Sequence, residues 1–303
     1  MDETRGTRNT KEEIRFERPN LKRLAEEGFT SIDMHLHTDH SDGHMTVERV
    51  LKKARDHGFG IAVTDHNEVT GSLKAFAEKG DVLVVPAIEI SASDGPHILA
   101  YFHSARDLED FHHRYVEPKQ RKNAPWLAIR SSTQTIVDAL DSYNCLTVAA
   151  HPYGYLVFNK GVQKCIDLEY MPHSILNGFD GLEAICGGMG HSLNARAVRL
   201  IERTGKCFTG GTDAHMLGDV GGVVTCAQVS TLSEFLEELG KCRNLVIGKE
   251  KTPAQKLVTG TVLMGKHSRY FMPSMRVHLE QNLPRVRHYV KRKTRDLNGK
   301  NTR

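Results

Sequence analysis

Short apolar runs alternate with amphipathic segments along most of the chain. Ser31–His35 alternates apolar and polar residues, which predicts a strand with one buried face. Gly60–Thr64 (GIAVT) and Val82–Ile90 (VLVVPAIEI) are nearly continuous apolar runs, typical of fully buried strands. Between them, Thr46–His57 places apolar residues three and four positions apart, which predicts a helix that Thr46 caps and Gly58 stops.

The same alternation of strand and helix continues as far as Val229. Further strands are predicted at Ile98–Phe102, Leu146–Ala150, Gly181–Cys186, Cys207–Gly210 and Val223–Val229. Further helices are predicted at Gly71–Lys79, Thr133–Ser142, Asn194–Thr204 and Leu232–Leu239. Strands that alternate with helices over this length predict an α/β fold with parallel strands.

Composition narrows the class of protein. Hydrophobic residues make up 39% of the 303 residues and charged residues 26%, as in globular proteins. No apolar run approaches the ~18 residues of a membrane span, and the charged N-terminus lacks the apolar centre of a signal peptide. We therefore expect a cytoplasmic protein with no membrane partner.

The net charge of +4 averages two unlike regions. From Lys241 to Arg303 there are 16 Lys and Arg but only 3 Asp and Glu, net +13, and the rest of the chain carries net −9. Basic tails often bind nucleic acid or another acidic partner, and a solvated tail is the alternative. Within this tail, Met275–Thr294 has the pattern of a basic amphipathic helix.

The six cysteines lie 16 to 21 residues apart and form no CxxC pair. Zinc sites built from thiolates need closer pairs, so a cysteine-based metal site is disfavoured. We expect buried, unpaired thiols in a reducing cytoplasm.

Histidine is unusually frequent, with 17 residues in the chain. His35 and His37 form an HxH pair at the end of a predicted strand, where residues i and i+2 point to the same side. Other histidines and carboxylates border the later apolar segments: His66, Glu89, His97, His151, Asp213 and His215. Because an α/β barrel carries its chemistry at the carboxyl ends of its strands, these groups predict a polynuclear metal centre.

Six segments resemble the motifs of the polymerase-and-histidinol-phosphatase (PHP) family of metal-dependent phosphoesterases. In order they are DMHLHTDHSDG, AVTDHNE, VPAIEIS, GPHILAY, AAHPYG and GGTDAH, within about Ser31 to Val229. The resemblance implies a distorted (β/α)7, TIM-like barrel of the PHP type at residues 30–245, with a short helical insertion at 104–130. Residues 1–29 are then a polar leader, and residues 246–303 a basic C-terminal extension.

The resemblance also implies ligands for two or three divalent ions, commonly Mn, Zn or Fe. One ion would be bound by His35, His37, Glu89 and Asp213. A second would be bound by Asp42, His66 and His215, and a third by Glu89, His97 and His151. Asp42 rests on the likeness of SDG to the family's loop after HxH, and the flanking His40 and His44 are alternative ligands.

Within the family, the chain most resembles stand-alone bacterial phosphoesterases that act on nucleotides or oligonucleotides. The predicted function is hydrolysis of phosphate esters of nucleotides or short nucleic acids. In this hypothesis a metal-bound hydroxide attacks phosphorus in line, and His191 is a candidate for protonating the leaving oxygen. Arg121, Arg130 and Arg196 are candidate substrate-binding residues, since affinity outside the metals should come from basic side chains.

Other functions stay open at this stage. A small-molecule phosphomonoesterase of the histidinol-phosphate type would release phosphate from monoesters but leave oligonucleotides intact. A nucleic-acid-binding or assembly subunit would instead contact nucleic acid or protein through its basic tail. Protein-tyrosine phosphatase is a further activity of the family.

Overall fold

The computed structural model describes residues 10–122, 124–154, 160–268 and 271–300. The strands in these ranges are β1 (Ile14–Arg15), β2 (Thr30–Leu36), β3 (Gly60–Val63), β4 (Val84–Ser91), β5 (His97–Phe102), β6 (Cys145–Ala149), β7 (Gly181–Cys186), β8 (Cys207–Gly211), β9 (Val223–Ala227) and β10 (Leu245–Gly248). Every strand predicted from the sequence is present, with its ends shifted by no more than two residues.

Helices connect most of these strands and cover the outside of the sheet. They are α1 (Thr10–Glu13), α2 (Leu21–Glu26), α3 (Val47–His57), α4 (Thr70–Glu78), α5 (Ala105–Phe111), α6 (Thr133–Leu140), α7 (Val162–Asp167), α8 (His191–Thr204), α9 (Leu232–Gly240), α10 (Pro253–His267) and α11 (Phe271–Lys300). The predicted caps of α3 are confirmed, since Thr46 Oγ1 accepts from the Arg49 amide and Gly58 takes a left-handed φ of 70°.

The strands form one curled sheet in the order β1-β10-β9-β2-β3-β4-β5-β6-β7-β8. The chain after β8 returns to β2, where the Asp213 amide donates to the His35 carbonyl at 2.7 Å and the His37 amide donates to the Ala214 carbonyl at 2.9 Å. Gly211 permits this approach, because a Cβ there would overlap the backbone of His35. The predicted distorted barrel is therefore confirmed.

Not all strands are parallel, so that part of the prediction is wrong. β5 pairs antiparallel with both β4 and β6, and β9 pairs antiparallel with β2 and β10. The segment between β4 and β5 is too short for a helical crossover and forms a tight turn, in which the Ala92 amide donates to the Pro96 carbonyl at 3.0 Å. As a result, the start of β5 lies at the same edge of the barrel as the end of β4.

The sheet extends beyond the predicted limits of the barrel. β1 comes from the polar leader and pairs in parallel with β10, which crosses the predicted start of the C-terminal extension. The region 104–130 contains α5, a π-helical turn at His112–Val116 and a 3-10 turn at Glu117–Lys119, which fits a helical insertion. The domain limits at 30, 245, 104 and 130 stay predictions.

One cysteine pair departs from the expectation of unpaired thiols. Cys207 and Cys242 form a disulfide with their Cα atoms 4.7 Å apart. The expectation failed because the fold brings the end of α9 beside the start of β8, a proximity that 35 residues of separation do not reveal. Cys145, Cys186 and Cys226 are thiols as expected, and burial raises the pKa of Cys226 to about 11. Within the described ranges, no helix combines the length and hydropathy that a bilayer span requires.

Candidate metal centre

Glu89 is buried at the centre of a group of five histidines. Its Oε1 lies 2.9 Å from His97 Nδ1 and 3.3 Å from His151 Nε2. Its Oε2 lies 3.0 Å from His66 Nδ1 and 3.4 Å from Nε2 of both His35 and His37. These residues come from the ends of β2, β3, β4 and β6 and from the start of β5, so the barrel edge brings distant segments together.

Two aspartates complete this group. Asp213 Oδ1 lies 3.2 Å from His37 Nε2, and Asp42 Oδ1 lies 3.3 Å from His215 Nε2. His66 Nε2 lies 3.7 Å from Asp42 Oδ2, so each aspartate lies beside a histidine of the Glu89 group. All nine residues predicted as ligands therefore lie in one buried group, the ligand cluster: His35, His37, Asp42, His66, Glu89, His97, His151, Asp213 and His215.

The loop after β2 explains why Asp42 joins the cluster. Gly43 lies so close to β2 that a Cβ there would overlap the carbonyl oxygen of His37. The loop is also held by Ser41, whose hydroxyl donates to Asp65 Oδ1 at 2.5 Å. Of the flanking alternatives, His44 is exposed and His40 is half-buried, and the metal-binding groups found in the described residues include Asp42 instead.

Two members of the cluster have unusual backbone conformations. His151 has a φ of 27° and Asp213 a φ of 48°, in the region that residues other than glycine rarely occupy. The Asp213 conformation is held by hydrogen bonds from its neighbours to β2, including that of the Thr212 amide to Asp33 Oδ1 at 2.9 Å. Strained positions of this kind concentrate at functional sites.

The donor atoms of the cluster fit divalent metal ions. Three of its subsets have ligand atoms within 4.8 Å of one another: His37, Asp42, His66 and His215; His35, His37 and Asp213; and His66, Glu89 and His97. Among the described residues, His35 Nε2, Glu89 Oε2 and both ring nitrogens of His37 are buried, and although other ligand atoms lie close to them, none of these approaches has the geometry of a hydrogen bond. Buried polar atoms are rarely left without a hydrogen bond, and imidazole and carboxylate groups are the ligands that Zn, Mn and Fe accept.

The surroundings of Glu89 and His37 favour the metal-binding forms of these two ligands. Burial would raise the pKa of Glu89, but the surrounding His66, His97 and His35 hold it well below its usual range. Burial and the nearby rings of His66 and His215 lower the pKa of His37 to about 4. An ionised carboxylate beside a neutral imidazole is the state in which both groups bind a cation.

Comparison with known proteins identifies the family. The family model described as "PHP domain" matches residues 33–201, and the model described as "PHP-associated" matches residues 191–244. The chain belongs to the PHP domain family. No curated protein matches the chain in sequence.

Solved structures with the same fold are distant in sequence. Endonuclease Q from Pyrococcus furiosus is 14% identical with a TM-score of 0.58, over 72% of this chain and 57% of that one. A complex of endonuclease Q with a 27-mer duplex that carries an abasic lesion is 13% identical, with the same TM-score, over 73% and 60%. PsfC from Pseudomonas syringae is 14% identical with a TM-score of 0.53, over 78% and 99%. At these identities the likeness establishes the fold alone.

A second layer of carboxylates supports the ligands of this PHP domain. Glu183 on β7 lies 2.9 Å from His35 Nδ1 through Oε1, and its Oε2 accepts from the His151 amide at 2.7 Å. Asp65 accepts from the Thr38 amide at 2.7 Å and holds the loop that carries Asp42. Sequence analysis missed both residues, although the lone carboxylate in the apolar strand GLEAIC was a usable signal for Glu183.

A cavity of 460 Å³ opens over the ligand cluster of the PHP domain. Six ligands line it, together with three lysines that sequence analysis did not select, Lys160, Lys251 and Lys256. Lys251 is buried, and its Nζ donates to the Asp213 carbonyl at 2.7 Å. Lys251 and Lys256 lie within residues 246–303, which the sequence predicts to be a C-terminal extension, and they place positive charge beside the ligands.

The predicted substrate-binding and acid residues lie elsewhere in the described chain. Arg121 pairs with Glu280 of α11 at 2.8 Å, and Arg130 contacts the Gln120 carbonyl at 3.4 Å; both line a separate groove between the insertion and α11. Arg196 pairs with Asp167 at 3.1 Å, and His191 lies 3.1 Å from Glu250 with an exposed side chain. None of the four is among the residues that line the cavity over the ligand cluster, and their roles stay predictions.

Proposed function

We propose that this PHP domain is a metal-dependent phosphoesterase that hydrolyses phosphate esters of nucleotides or short nucleic acids. The observation that carries the proposal is the Glu89-centred cluster, with its unpartnered buried donor atoms, beneath a cavity lined by three lysines. A polynuclear cation site next to fixed ammonium groups is suited to an anionic substrate such as a phosphate ester.

The chain's own residues have separable tasks in this proposal. His35, His37 and Asp213 would hold one ion, Asp42, His66 and His215 a second, and Glu89 with His97 and His151 a third. Divalent ions bound there would activate water and neutralise the charge on the phosphoryl oxygens. Glu183 and Asp65 fix the orientation of the ligands, and the buried Lys251 holds the backbone of Asp213 in place.

The substrate class is supported mainly by the cavity. Its volume of 460 Å³ lies within the range of about 300 to 1,000 Å³ that small-molecule sites occupy. Endonuclease Q has been captured with duplex DNA, which agrees with a nucleic-acid substrate for this fold. That likeness is limited to the fold, so the choice among phosphate esters depends on the residues at the cavity.

A metal-reconstituted assay with three substrates tests the proposal. We expect release of phosphate or of a nucleotide from at least one of a nucleoside monophosphate, a nucleoside 3′,5′-bisphosphate and a 5′-phosphorylated oligonucleotide. No hydrolysis of any of them by protein with confirmed bound metal would contradict the proposal. Phosphate release from histidinol phosphate, with the oligonucleotide left intact, would favour the small-molecule phosphatase instead.

A further inference from the structure

The first turn of α10 is fixed firmly to the barrel. Thr252 caps the helix, with its hydroxyl accepting from the Gln255 amide, and Gln255 in turn donates to Asp219 Oδ1 at 3.2 Å. The Lys251 amide donates to the Gly187 carbonyl at 2.9 Å. Lys256 Nζ donates to the Met189 carbonyl at 2.7 Å. These bonds set the direction in which α10 leaves the sheet, along the cavity that contains the ligand cluster.

One face of α10 lines that cavity. Lys256, Thr259, Gly260 and Leu263 are its lining residues, and their spacing of three and four positions places them on a single side of the helix. The other side is solvent-exposed, with Leu257 73% and Met264 77% exposed. The orientation of α10 is therefore defined, and its inner face is the only part of the described extension beyond Lys251 that reaches the cavity.

The inner face combines a positive charge with open space. Lys256 lines the cavity at the start of α10, and its ammonium group, which donates one hydrogen bond to the Met189 carbonyl, has further N–H groups that can face an anion in the cavity. A Cβ built on Gly260 would meet no described heavy atom within 4 Å, so the helix leaves room over the cluster one turn further on. The phosphate of an ester needs the positive charge, and its leaving group needs the open space next to it.

We propose that α10 is the wall that selects the substrate of this site. Lys256 takes the phosphate, and the space at Gly260 takes a leaving group no larger than a nucleoside or the end of a single strand. This inference rests on the proposed phosphoesterase function and narrows its substrate class to small esters and strand ends. The volume of 460 Å³ is that of a small-molecule site, so we infer that an intact duplex does not reach the ligand cluster past α10.

Filling the space at Gly260 tests the size limit. Gly260→Phe should weaken binding of adenosine monophosphate to the metal-loaded full chain by at least about fivefold, since overfilling a packed site is unfavourable. Binding of inorganic phosphate, which needs no such space, should change far less. Gly265→Phe is the matched control, because Gly265 lies on the same helix, is exposed, and also has no atom within 4 Å of a built Cβ. Titration calorimetry measures both ligands.

Removing the charge of Lys256 tests the phosphate contact. Lys256→Gln should weaken inorganic phosphate and adenosine monophosphate equally, by about tenfold, as expected for loss of one charge-assisted hydrogen bond. Lys249→Gln, at an exposed position outside this cavity, should leave both affinities unchanged.

The outcomes separate this inference from the proposed function. Equal effects of Gly260→Phe and Gly265→Phe, or hydrolysis of duplex and single-stranded oligonucleotides with equal kcat/KM, would overturn the role of α10. Absence of hydrolysis by the wild-type protein, with the binding differences intact, would instead overturn the phosphoesterase proposal and leave α10 as the wall of an anion-binding site.

Discussion

The ligand cluster and the wall formed by α10 line the same cavity but are built differently. Each ligand is buried and lies at a strand end or in a loop tied to one, and the carboxylates of Glu183 and Asp65 support several of them from behind. The wall is a single helix that is anchored at its first turn and exposed along its outer side. In our proposal, the buried centre carries the chemistry, while a separately attached helix selects the substrate that reaches it.

Removal of a metal ligand should give the largest loss of activity. A small loss would mean that the ligand cluster does not carry the chemistry. His66→Ala and Asp213→Ala should each lower kcat/KM by more than about 100-fold, because changes behind the ligands alone cost 10- to 100-fold. Bound metal should fall in parallel, as measured by atomic emission on the purified protein.

His113→Ala is a matched control for the loss of an imidazole, since the His113 side chain is 80% exposed. Circular dichroism should show that both ligand variants remain folded. Full activity and full metal content in either of them would refute its assignment as a ligand.

A substitution at Glu183 tests whether the carboxylates behind the ligands contribute to metal binding. Glu183→Gln keeps the shape of the side chain but removes the charge that faces His35 Nδ1. We expect metal affinity to fall by about 10- to 100-fold, with a smaller loss of kcat at saturating metal. Competition with a chromogenic chelator measures the affinity, and Glu202→Gln on the exposed side of α8 is the control.

If Glu183→Gln lowered the melting temperature while metal affinity stayed at the wild-type value, Glu183 would be a core residue and no part of the centre. Equal losses of metal affinity in Glu183→Gln and Glu202→Gln would likewise show that Glu183 is no part of the centre.

Reduction of the disulfide should change stability but leave the site intact. The Cys207–Cys242 bond closes a loop of 35 residues, for which the entropic model gives about 3 to 4 kcal/mol of unfolding free energy. Urea unfolding with and without dithiothreitol, compared with Cys207→Ser, measures this loss. A change in metal content at low urea would show that the two regions are coupled.

We expect the smallest change in activity at Arg121, which the sequence predicted to be a substrate-binding residue. Its guanidinium pairs with Glu280 and donates to the Ala128 carbonyl at 2.8 Å, outside the cavity of the ligand cluster. Arg121→Ala should therefore change kcat/KM for a nucleoside monophosphate far less than Lys256→Gln does. A larger loss for Arg121→Ala in steady-state assays would move the substrate site to the groove beside α11.

The strands and the ligands could be predicted from the sequence because both depend on local patterns. Buried strands need apolar runs, and a run that ends in HxH, DH or DxH marks both the strand and the side chains at its end. Asp42 was accessible only through the family motif, because no periodicity distinguishes it from His40 or His44. Gly43 and the bond from Ser41 to Asp65 explain how the loop delivers Asp42 to the cluster.

The residues beside the substrate cavity could not be predicted from the sequence in the same way. Arg121 and Arg130 were selected because basic residues are concentrated in the insertion, and Arg196 because its helix follows GGMGH. The described fold pairs Arg121 and Arg196 with carboxylates away from the cavity. Lys160, Lys251 and Lys256 come from separate segments and carry no motif. Their relation to the metal ligands exists only in three dimensions.

The sequence by itself determined the strand and helix pattern, the PHP resemblance and the nine candidate ligands. Each of these depends on short-range patterns of polarity and residue type. Tertiary structure alone decided the antiparallel placement of β5, the Cys207–Cys242 pair and the position of α10 over the ligands. These depend on contacts between segments far apart in the chain, and such contacts leave no periodic trace in the residues that make them.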